Sequence, residues 1–448
     1  MSSASGPVPP VTARRVGFSQ EHLDDLPQRR DEPAWLREQR QAAWDVYQQT
    51  PWPTGKEEAW RRFDLRAVQF QLEAVTPARE PGYQARRLSD LPSALQAALG
   101  KEDEAVLVLH HGGAVYRAAD LPAGVVFTSL EEAVRTVPEL VREHLGGLIR
   151  PEHGIFPALN AACWTSGALL VVPAGVSLER PVRVLHWADG SRVGVLHRTL
   201  VVLERGARAT VIDDSLSTPQ ASGLDLSAVE LIVGEGAQLQ YLALQDWGRG
   251  LVSLNHLRGA AGRDARIAWL VVTLGSRLAR SELTALLDQP GGTHQLRGLF
   301  FGDDSQHFDL HTLQVHQAPH TTSDLLFKGV LKDSARSAYA GLIRVERGAQ
   351  RTDAYLANRN LLLSKTARAD SIPTLEIEAN DVRCTHGATV GPIEEDQVFY
   401  LMARGIPRRE AERMIVEGFF EPLLAQVPLA HLRRRLERAI ARKMEEGE

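Results

Sequence analysis

Cys384 and His386 are the residues whose types and spacing are best suited to chemistry, and a single residue separates them. On a β-strand alternate side chains point to the same face, so the thiol and the imidazole would lie side by side. Such a pair suits a borderline metal ion such as iron or zinc, and it is also a minimal thiol–base pair for nucleophilic chemistry. The structural alternative is a small buried cysteine beside a hydrogen-bonded histidine, and the spacing alone leaves both open.

A second group of candidate ligands comprises His307, His311, His316 and His320. A metal site would need three or four ligands that converge on one point. If the segment is a strand, His307 and His311 would share one face, and His316 and His320 would share another. The alternative is a set of strand and turn histidines on the protein surface.

Two adjacent carboxylate pairs, Asp213–Asp214 and Asp303–Asp304, raise the question of acid–base catalysis. Neighbouring side chains on a strand point to opposite faces, so such pairs make poor acid–base partners, and we expect both pairs in turns. Cys163 precedes the apolar run 168–173 and is expected to be a buried structural residue.

Composition excludes several classes of protein. The formal net charge of −5 argues against a nucleic-acid-binding protein. The two cysteines cannot supply the four thiolates that usually hold an iron–sulfur cluster, so any cluster would need histidine, carboxylate, cofactor or partner ligands.

The sequence contains no phosphate-binding GxxxxGK[ST] loop. It also shows no secretory signal and no apolar run of membrane-spanning length, so we expect a cytoplasmic protein that does not enter a membrane.

A repeated turn indicates how these residues are positioned. A small or polar residue followed by alanine precedes alternating strands, and the steps from Ala207 to Ala237 and from Ala237 to Ala265 are 30 and 28 residues. A period near this length, with half-steps such as Ala335 to Ala349, favours a parallel β-solenoid with two strands per coil. The step from Ala265 to Ser305 is 40 residues, so the repeat is imperfect, and a β-sandwich with regular hairpins would look similar.

The chain is expected to divide into four segments. Residues 1–15 read as a disordered tail, and 16–153 as a mainly helical region with some strand. Residues 154–392 form a β-rich core, and 393–448 return to helix. In the last segment Ala411, Met414, Ile415, Phe419 and Leu423 trace one apolar stripe of a predicted helix.

Several blocks of this sequence together resemble the SufB/SufD family of iron–sulfur cluster assembly scaffold proteins. The most specific block runs from Pro373 to Gly391 and includes Cys-Thr-His-Gly-Ala-Thr-Val-Gly. The resemblance spans most of the chain and also includes the following segments: the tryptophan motif around Trp60, 158–162, 172–176, 328–333, 349–354, 358–364, 399–401 and 404–406. The Cys-x-His-Gly-Ala form and the scarcity of cysteine resemble the SufD branch more than the SufB branch.

The resemblance implies a mainly β fold, with a right-handed parallel β-helix core between N-terminal and C-terminal α-helical regions. It implies a non-catalytic scaffold that pairs with SufB through the β-core and docks the ATPase SufC on its C-terminal helices, where Met414, Ile415, Phe419 and Leu423 are the candidate contact residues. His386, with Cys384 beside it, would hold a transient iron–sulfur cluster shared with the partner chain.

Three alternatives remain at the level of sequence. The first is a homodimeric scaffold of the same family that works without SufB. The second is a β-solenoid glycan-degrading enzyme, which would need carboxylates and basic residues in a groove on one solenoid face. The third is a purely structural interaction subunit in which His386 has no metal role.

Overall fold

The computed structural model describes residues 18–78, 83–99 and 104–445. The tail expected at residues 1–15 lies outside these ranges. Strands account for 42% and helices for 26% of the structure. Among the described residues, no helix has both the length and the apolar composition that crossing a bilayer requires.

The helices fall before and after the β-core. Those on the N-terminal side are α1 (Gln20–Arg30), α2 (Ala34–Gln49), α3 (Leu65–Ala74), α4 (Ser93–Leu99), α5 (Leu130–Thr136), α6 (Pro138–His144) and α7 (Ile155–Cys163). Those on the C-terminal side are α8 (Glu395–Met402), α9 (Arg408–Leu424) and α10 (Ala430–Glu445).

Four strands precede the regular part of the core: β1 (Thr76–Pro77), β2 (Ala105–His110), β3 (Gly113–Ala118) and β4 (Val126–Ser129). The odd-numbered strands that follow are β5 (Ser166–Val172), β7 (Val193–Leu203), β9 (Ser222–Val233), β11 (Gly250–Ala261), β13 (Leu278–Leu287), β15 (His307–His316), β17 (Arg336–Val345) and β19 (Arg368–Ile377). The even-numbered strands are β6 (Val182–Ala188), β8 (Arg208–Ser217), β10 (Gln238–Asp246), β12 (Arg266–Thr273), β14 (Thr293–Gly302), β16 (Thr322–Leu331), β18 (Asp353–Leu362) and β20 (Arg383–Pro392).

These strands form a β-solenoid of about eight turns, which confirms the predicted fold class. The odd-numbered strands form one parallel sheet and the even-numbered strands form the other, so each coil contributes one strand to each sheet. Arg208 pairs with Gln238, and Gln238 pairs with Arg266, so these coils are 30 and 28 residues apart, as the turn spacing predicts.

The core runs along the inside of the solenoid, and helices cover part of the outer face of each sheet. Helices α2, α3 and α7 pack on the odd-numbered sheet, where buried residues such as Leu224 and Val252 contact them. Helices α9 and α10 pack on the even-numbered sheet through buried residues such as Phe301 and Phe420. This covering matches the rule that parallel sheets are buried on both faces.

The two ends of the solenoid differ. At the N-terminal end, β4 pairs antiparallel with β5, and β2 pairs with β6 and with β3, so additional strands close both sheets. At the C-terminal end the sheets finish with β19 and β20, and neither strand has a further strand partner among the described residues. One end is therefore capped and the other is open.

Candidate functional site

The candidate site lies on β20, the last strand of the even-numbered sheet. This strand pairs only with β18 in the described part of the chain, and most of its residues are exposed or half-buried. In the parallel register Cys384 lies beside Ala354, and His386 lies beside Leu356. Ala354 and Leu356 are fully buried members of the main core, so Cys384 and His386 lie on the inward-facing side of the last coil.

His386 ends a column of buried residues that follows the inside of the solenoid. The register links Tyr241, Trp269, Leu296, Leu325 and Leu356 in succession along this column. All of them belong to the main hydrophobic core. His386 occupies the next position and is exposed, because no further coil covers it in the described part of the chain. A polar imidazole therefore stands where the solenoid would otherwise place an apolar residue.

Cys384 is half-buried and packs against the same core. Partial burial, followed by the nearby Asp353 carboxylate, raises the pKa of the Cys384 thiol above its usual value, although a backbone hydrogen bond with Ala354 acts in the opposite direction. The thiol is therefore mainly protonated at neutral pH, and binding a metal would release its proton. The structure thus brings Cys384 and His386 to one face, as their spacing predicts.

The pair alone is too small a ligand set for a cluster. Among the described residues, no group of three or more His, Cys, Asp or Glu ligand atoms within 4.8 Å of one another includes Cys384 or His386. A cluster needs about four ligands. At this open strand edge the described residues bring together two candidate ligands, Cys384 and His386.

The four histidines of the second candidate group do not form a joint site. His307, His311 and His316 all lie on β15, whereas His320 lies in the following turn and is exposed. His311 contacts Asp309 at 3.0 Å and Arg280 at 2.9 Å. His316 is buried and makes hydrogen bonds of 2.7 and 2.8 Å to the hydroxyls of Thr321 and Ser323. The expectation of surface histidines is therefore wrong for His316, which is a core residue.

The carboxylate pairs differ from each other. Asp303 and Asp304 lie at a turn, as expected, whereas Asp213 and Asp214 lie in β8 and are buried, so the turn prediction for that pair is wrong. Asp213 accepts hydrogen bonds of 2.7 Å from Thr199 and Tyr241. Asp214 is bound by two arginines, one of them from α10. Both aspartates stabilise the interior of the protein.

Cys163 is buried at the end of α7, and burial raises its pKa to about 12. This position confirms the expectation of a structural cysteine, because a thiol that is neither exposed nor ionised is poorly reactive.

A groove of about 500 Å³ on the odd-numbered sheet bears on the glycan-hydrolase alternative, since it contains Glu282 and Asp309. Both carboxylates are ion-paired with Arg280. Burial alone would raise the pKa of Glu282, but His256 and Arg280 lower it to about 2. Glu282 is therefore ionised at neutral pH and is unsuited to be the general acid of a glycosidase.

The predicted docking residues of α9 occupy different environments. Met414 is exposed, and Ile415 and Phe419 are half-buried. Leu423 is only 1% exposed and packs against the even-numbered sheet. In this structure the Leu423 side chain therefore attaches α9 to the β-core, and its role as a partner contact stays a prediction. Phe419 also anchors the helix, since its backbone oxygen accepts a hydrogen bond of 2.7 Å from Lys328.

An exposed apolar surface lies beside these residues on α8. Phe399 is 72% exposed, and Tyr400 and Met402 are also exposed, together with Met414 of α9. We call Phe399, Tyr400, Met402 and Met414 the α8–α9 surface. Three large apolar residues within four positions of the segment predicted to be helical could have indicated this surface from the sequence.

Comparison with known proteins identifies the family. Residues 186–419 match the family model described as "SUF system FeS cluster assembly, SufBD core domain", and residues 110–184 match the model of the SufBD protein N-terminal region. The chain belongs to the SufB/SufD family. Members of this family function in iron–sulfur cluster assembly.

Three similar proteins align with nearly the whole chain. The iron–sulfur cluster assembly protein SufD of Bacillus subtilis is 29% identical over 437 residues, which are 96% of this chain and 99% of that protein. SufB of the same organism is 26% identical over 434 residues, covering 93% and 90% of the two chains. A SufBD family protein of Staphylococcus epidermidis is 26% identical over 433 residues, with 93% and 90% covered. This member of the family is thus more similar to the SufD than to the SufB of B. subtilis.

Proposed function

We propose that this chain is a SufD-type scaffold subunit whose open solenoid end pairs with a SufB-like scaffold, and that a nascent iron–sulfur cluster is assembled as cargo at the junction. The observation that carries the proposal is the position of His386. It continues a buried apolar column beyond Leu356, on a strand edge that has no partner in the described part of the chain.

The open end has the properties of an interface. Unpaired strand edges attract further strands, and proteins usually cover or charge them. Ile377 on β19 and Val390 on β20 are exposed apolar residues at this end, and Tyr355 on β18 is also exposed. A partner that adds strands to β19 and β20 would bury these residues and satisfy the free backbone groups.

A shared site also accounts for the small number of ligands. This chain offers the imidazole of His386 and the thiol of Cys384, and a partner strand added beside β20 would bring its own side chains to the same place. The cluster would then be held only while both chains are together. Such a shared, incomplete ligand set suits a transient cargo that must later be released.

We place the docking of the ATPase SufC at the α8–α9 surface. This surface offers Phe399, Tyr400, Met402 and Met414 to a partner, and aromatic and methionine side chains are enriched in protein interfaces. The sequence has no phosphate-binding loop, so ATP hydrolysis must come from another subunit.

The packing of α9 suggests how ATP hydrolysis could act on the cluster site. Phe420, Leu423 and Leu424 of α9 are buried against the even-numbered sheet, which ends in β20. A partner that pulls on α8 and α9 would therefore load the same sheet that carries His386. We propose that this strain opens the scaffold interface and exposes His386 to iron and sulfur.

The test is anaerobic cluster assembly on the chain co-expressed with SufB and SufC, comparing wild type with His386→Ala. Thr385→Ala is the matched control, because Thr385 is exposed on the same strand but points to the opposite face. We expect His386→Ala to keep the complex and lose the cluster, and Thr385→Ala to keep both. An intact complex with an undiminished cluster in His386→Ala would refute the role of His386.

Purification of the chain without SufB tests the alternative of a homodimeric scaffold. If the purified chain alone dimerises, binds SufC and holds a cluster, then a second copy covers the open end and the pairing with SufB is refuted. We expect instead that cluster formation depends on SufB.

A further inference from the structure

A cluster of possible metal ligands lies at the capped end of the solenoid and has no part in the function proposed above. His110 is the last residue of β2, His111 is the next residue, and Asp189 follows one residue after β6. Their ligand atoms all lie within 4.8 Å of one another. Asp189 Oδ1 is 3.2 Å from His110 Nε2 and 3.1 Å from His111 Nε2.

The fold holds these three residues in place. His110 pairs with Trp187 where β2 runs parallel to β6, and the amide of His111 donates a hydrogen bond to the carbonyl of Trp187. His111 adopts a φ of 51° at the turn between β2 and β3. This backbone conformation is uncommon for residues other than glycine. It directs two consecutive histidines to one place, with ring centroids 4.2 Å apart, although neighbouring residues of a regular strand would point apart.

His110 provides an independent indication of a ligand. His110 is only 7% exposed. Its Nε2 atom faces the Asp189 carboxylate but makes no hydrogen bond of acceptable geometry. Buried polar atoms almost always form well-aligned hydrogen bonds, so a ring nitrogen that approaches a carboxylate at 3.2 Å without such a bond needs an explanation. Its other ring nitrogen, Nδ1, lies 3.1 Å from the Tyr83 hydroxyl. Such a second contact is typical of metal-binding histidines, because it fixes the orientation of the ring.

We propose that His110 Nε2, His111 Nε2 and Asp189 Oδ1 form a site for one divalent first-row transition-metal ion, Zn²⁺ or Fe²⁺. Two imidazoles and one carboxylate are a ligand set that both ions accept, with the remaining positions open to water. Ligand atoms about 2.1 Å from a tetrahedral ion are about 3.4 Å apart. The separations of 3.1 and 3.2 Å from Asp189 Oδ1 are close to this value.

The surroundings fit an accessible rather than a sealed site. The side chain of Asp189 is 40% exposed, whereas that of His110 is 10% exposed, so the open positions of the ion would face solvent on the Asp189 side. His111 Nε2 lies 2.9 Å from the backbone carbonyl oxygen of Asp189 and 3.1 Å from its backbone nitrogen. A small rotation of the imidazole would exchange these contacts for the metal.

This site is separate from His386. In the even-numbered sheet, whose order is β20-β18-β16-β14-β12-β10-β8-β6-β2-β3, eight strand-to-strand steps separate β20 from β2. With a spacing of about 4.8 Å between strands, the two sites are on the order of 40 Å apart. The metal-site proposal therefore does not depend on the proposed scaffold function.

The experiment is isothermal titration of the tag-free, EDTA-treated full chain with Zn²⁺ alone, and with Fe²⁺ alone under anaerobic conditions. We expect one ion per chain at this site and at least about tenfold weaker binding in Asp189→Asn and in His111→Asn. Tyr83→Phe should weaken binding by about 10-fold to 100-fold through loss of the Nδ1 contact. Circular dichroism of each variant checks that it is folded.

Two further variants make the result specific. His320→Asn is the matched control for His111→Asn, because His320 is exposed and also has a positive φ, of 59°. We expect it to bind the ion like wild type. A Cys384→Ser/His386→Ala double variant should also retain this binding. The proposal is overturned if wild type binds no stoichiometric ion, if Asp189→Asn and His111→Asn bind as tightly as wild type, or if the double variant loses the binding.

Discussion

His386 lies in register with Leu356, on the same inward-facing side of the even-numbered sheet. Leu356 is fully buried, whereas His386 is exposed one strand further along. The column thus changes from leucine to histidine at β20, the last strand of the even-numbered sheet at this end among the described residues. This is the position at which a side chain can face a partner chain and still be aligned by the core behind it.

The substitution His386→Leu separates function from stability. The new leucine side chain would extend the apolar column beyond Leu356 without leaving a buried polar group, so we expect the free energy of unfolding to change by no more than about 0.5 kcal/mol. The imidazole would be absent, so cluster yield in the complex with SufB and SufC should fall at least about tenfold. Denaturant unfolding of the isolated chain and iron analysis of the anaerobic complex measure the two effects.

The opposite pattern in that variant would exclude a ligand role. A stable complex with wild-type iron content would mean that His386 only fills space at the interface. A large loss of stability would mean that the histidine is part of the core in spite of its exposure.

The proposed docking of SufC at the α8–α9 surface can be tested at Phe399. Phe399 is 72% exposed on α8, so changing it to aspartate removes an anchor without creating a cavity. We expect SufC affinity to fall about 30-fold or more, because an interface hot spot contributes about 2 kcal/mol or more. Surface plasmon resonance with immobilised SufC measures the change.

Phe70 provides the control for that substitution. It lies on α3 and is 65% exposed, and α3 packs on the odd-numbered sheet whereas α9 packs on the even-numbered sheet. We expect Phe70→Asp to bind SufC like wild type. Equal loss in both variants would point to a general effect of the added charge, and no loss in Phe399→Asp would place the docking site elsewhere.

The sequence predicted the solenoid because each coil repeats the same turn. Ala207, Ala237 and Ala265 precede strands of the even-numbered sheet, whereas Ala335 precedes a strand of the odd-numbered sheet. The irregular step of 40 residues from Ala265 to Ser305 is therefore one coil and a half, and the solenoid itself is regular. A repeat found from one turn motif cannot reveal that the motif has moved to the other corner of the coil.

Other positions depended on tertiary structure that periodicity does not contain. Asp213 and Asp214 look like turn residues, yet both are buried in β8, because Tyr241 and arginines from distant segments satisfy them. On α9 the apolar stripe was visible, but Leu423 faces the core and Met414 faces solvent. Which edge of a stripe a partner can reach depends on where the helix packs.

The ion pairs of Asp214 are expected to stabilise the attachment of α10 to the solenoid. Its carboxylate is fully buried and binds Arg183 at 2.5 Å and Arg435 of α10 at 2.5 Å. Changing Asp214 to alanine leaves these guanidinium groups without this partner in a buried place, so we expect a loss of about 3–5 kcal/mol in the free energy of unfolding. Urea denaturation followed by circular dichroism measures it.

Glu437 gives a matched comparison on the same helix. It pairs with Arg433 at 2.8 Å, but both side chains are about one-third or more exposed. Because solvent screens exposed pairs, Glu437→Ala should cost no more than about 0.5 kcal/mol. Similar losses in the two variants would show that the buried pair contributes nothing particular to the attachment of α10.

Because His294 is buried, we expect acid to destabilise the core. Burial lowers its pKa to about 4, while Nδ1 accepts a hydrogen bond of 2.9 Å from Trp269. The unfolded chain takes up a proton on this imidazole near pH 6.5, whereas the native chain does so only near pH 4. The free energy of unfolding therefore decreases as the pH is lowered from about 6.5 to about 4. Between about pH 7 and pH 5, wild type should lose about 2 kcal/mol more than His294→Gln in urea denaturation, whereas the exposed His320→Gln should behave like wild type. Equal pH dependence in wild type and His294→Gln would mean that His294 keeps its ordinary pKa.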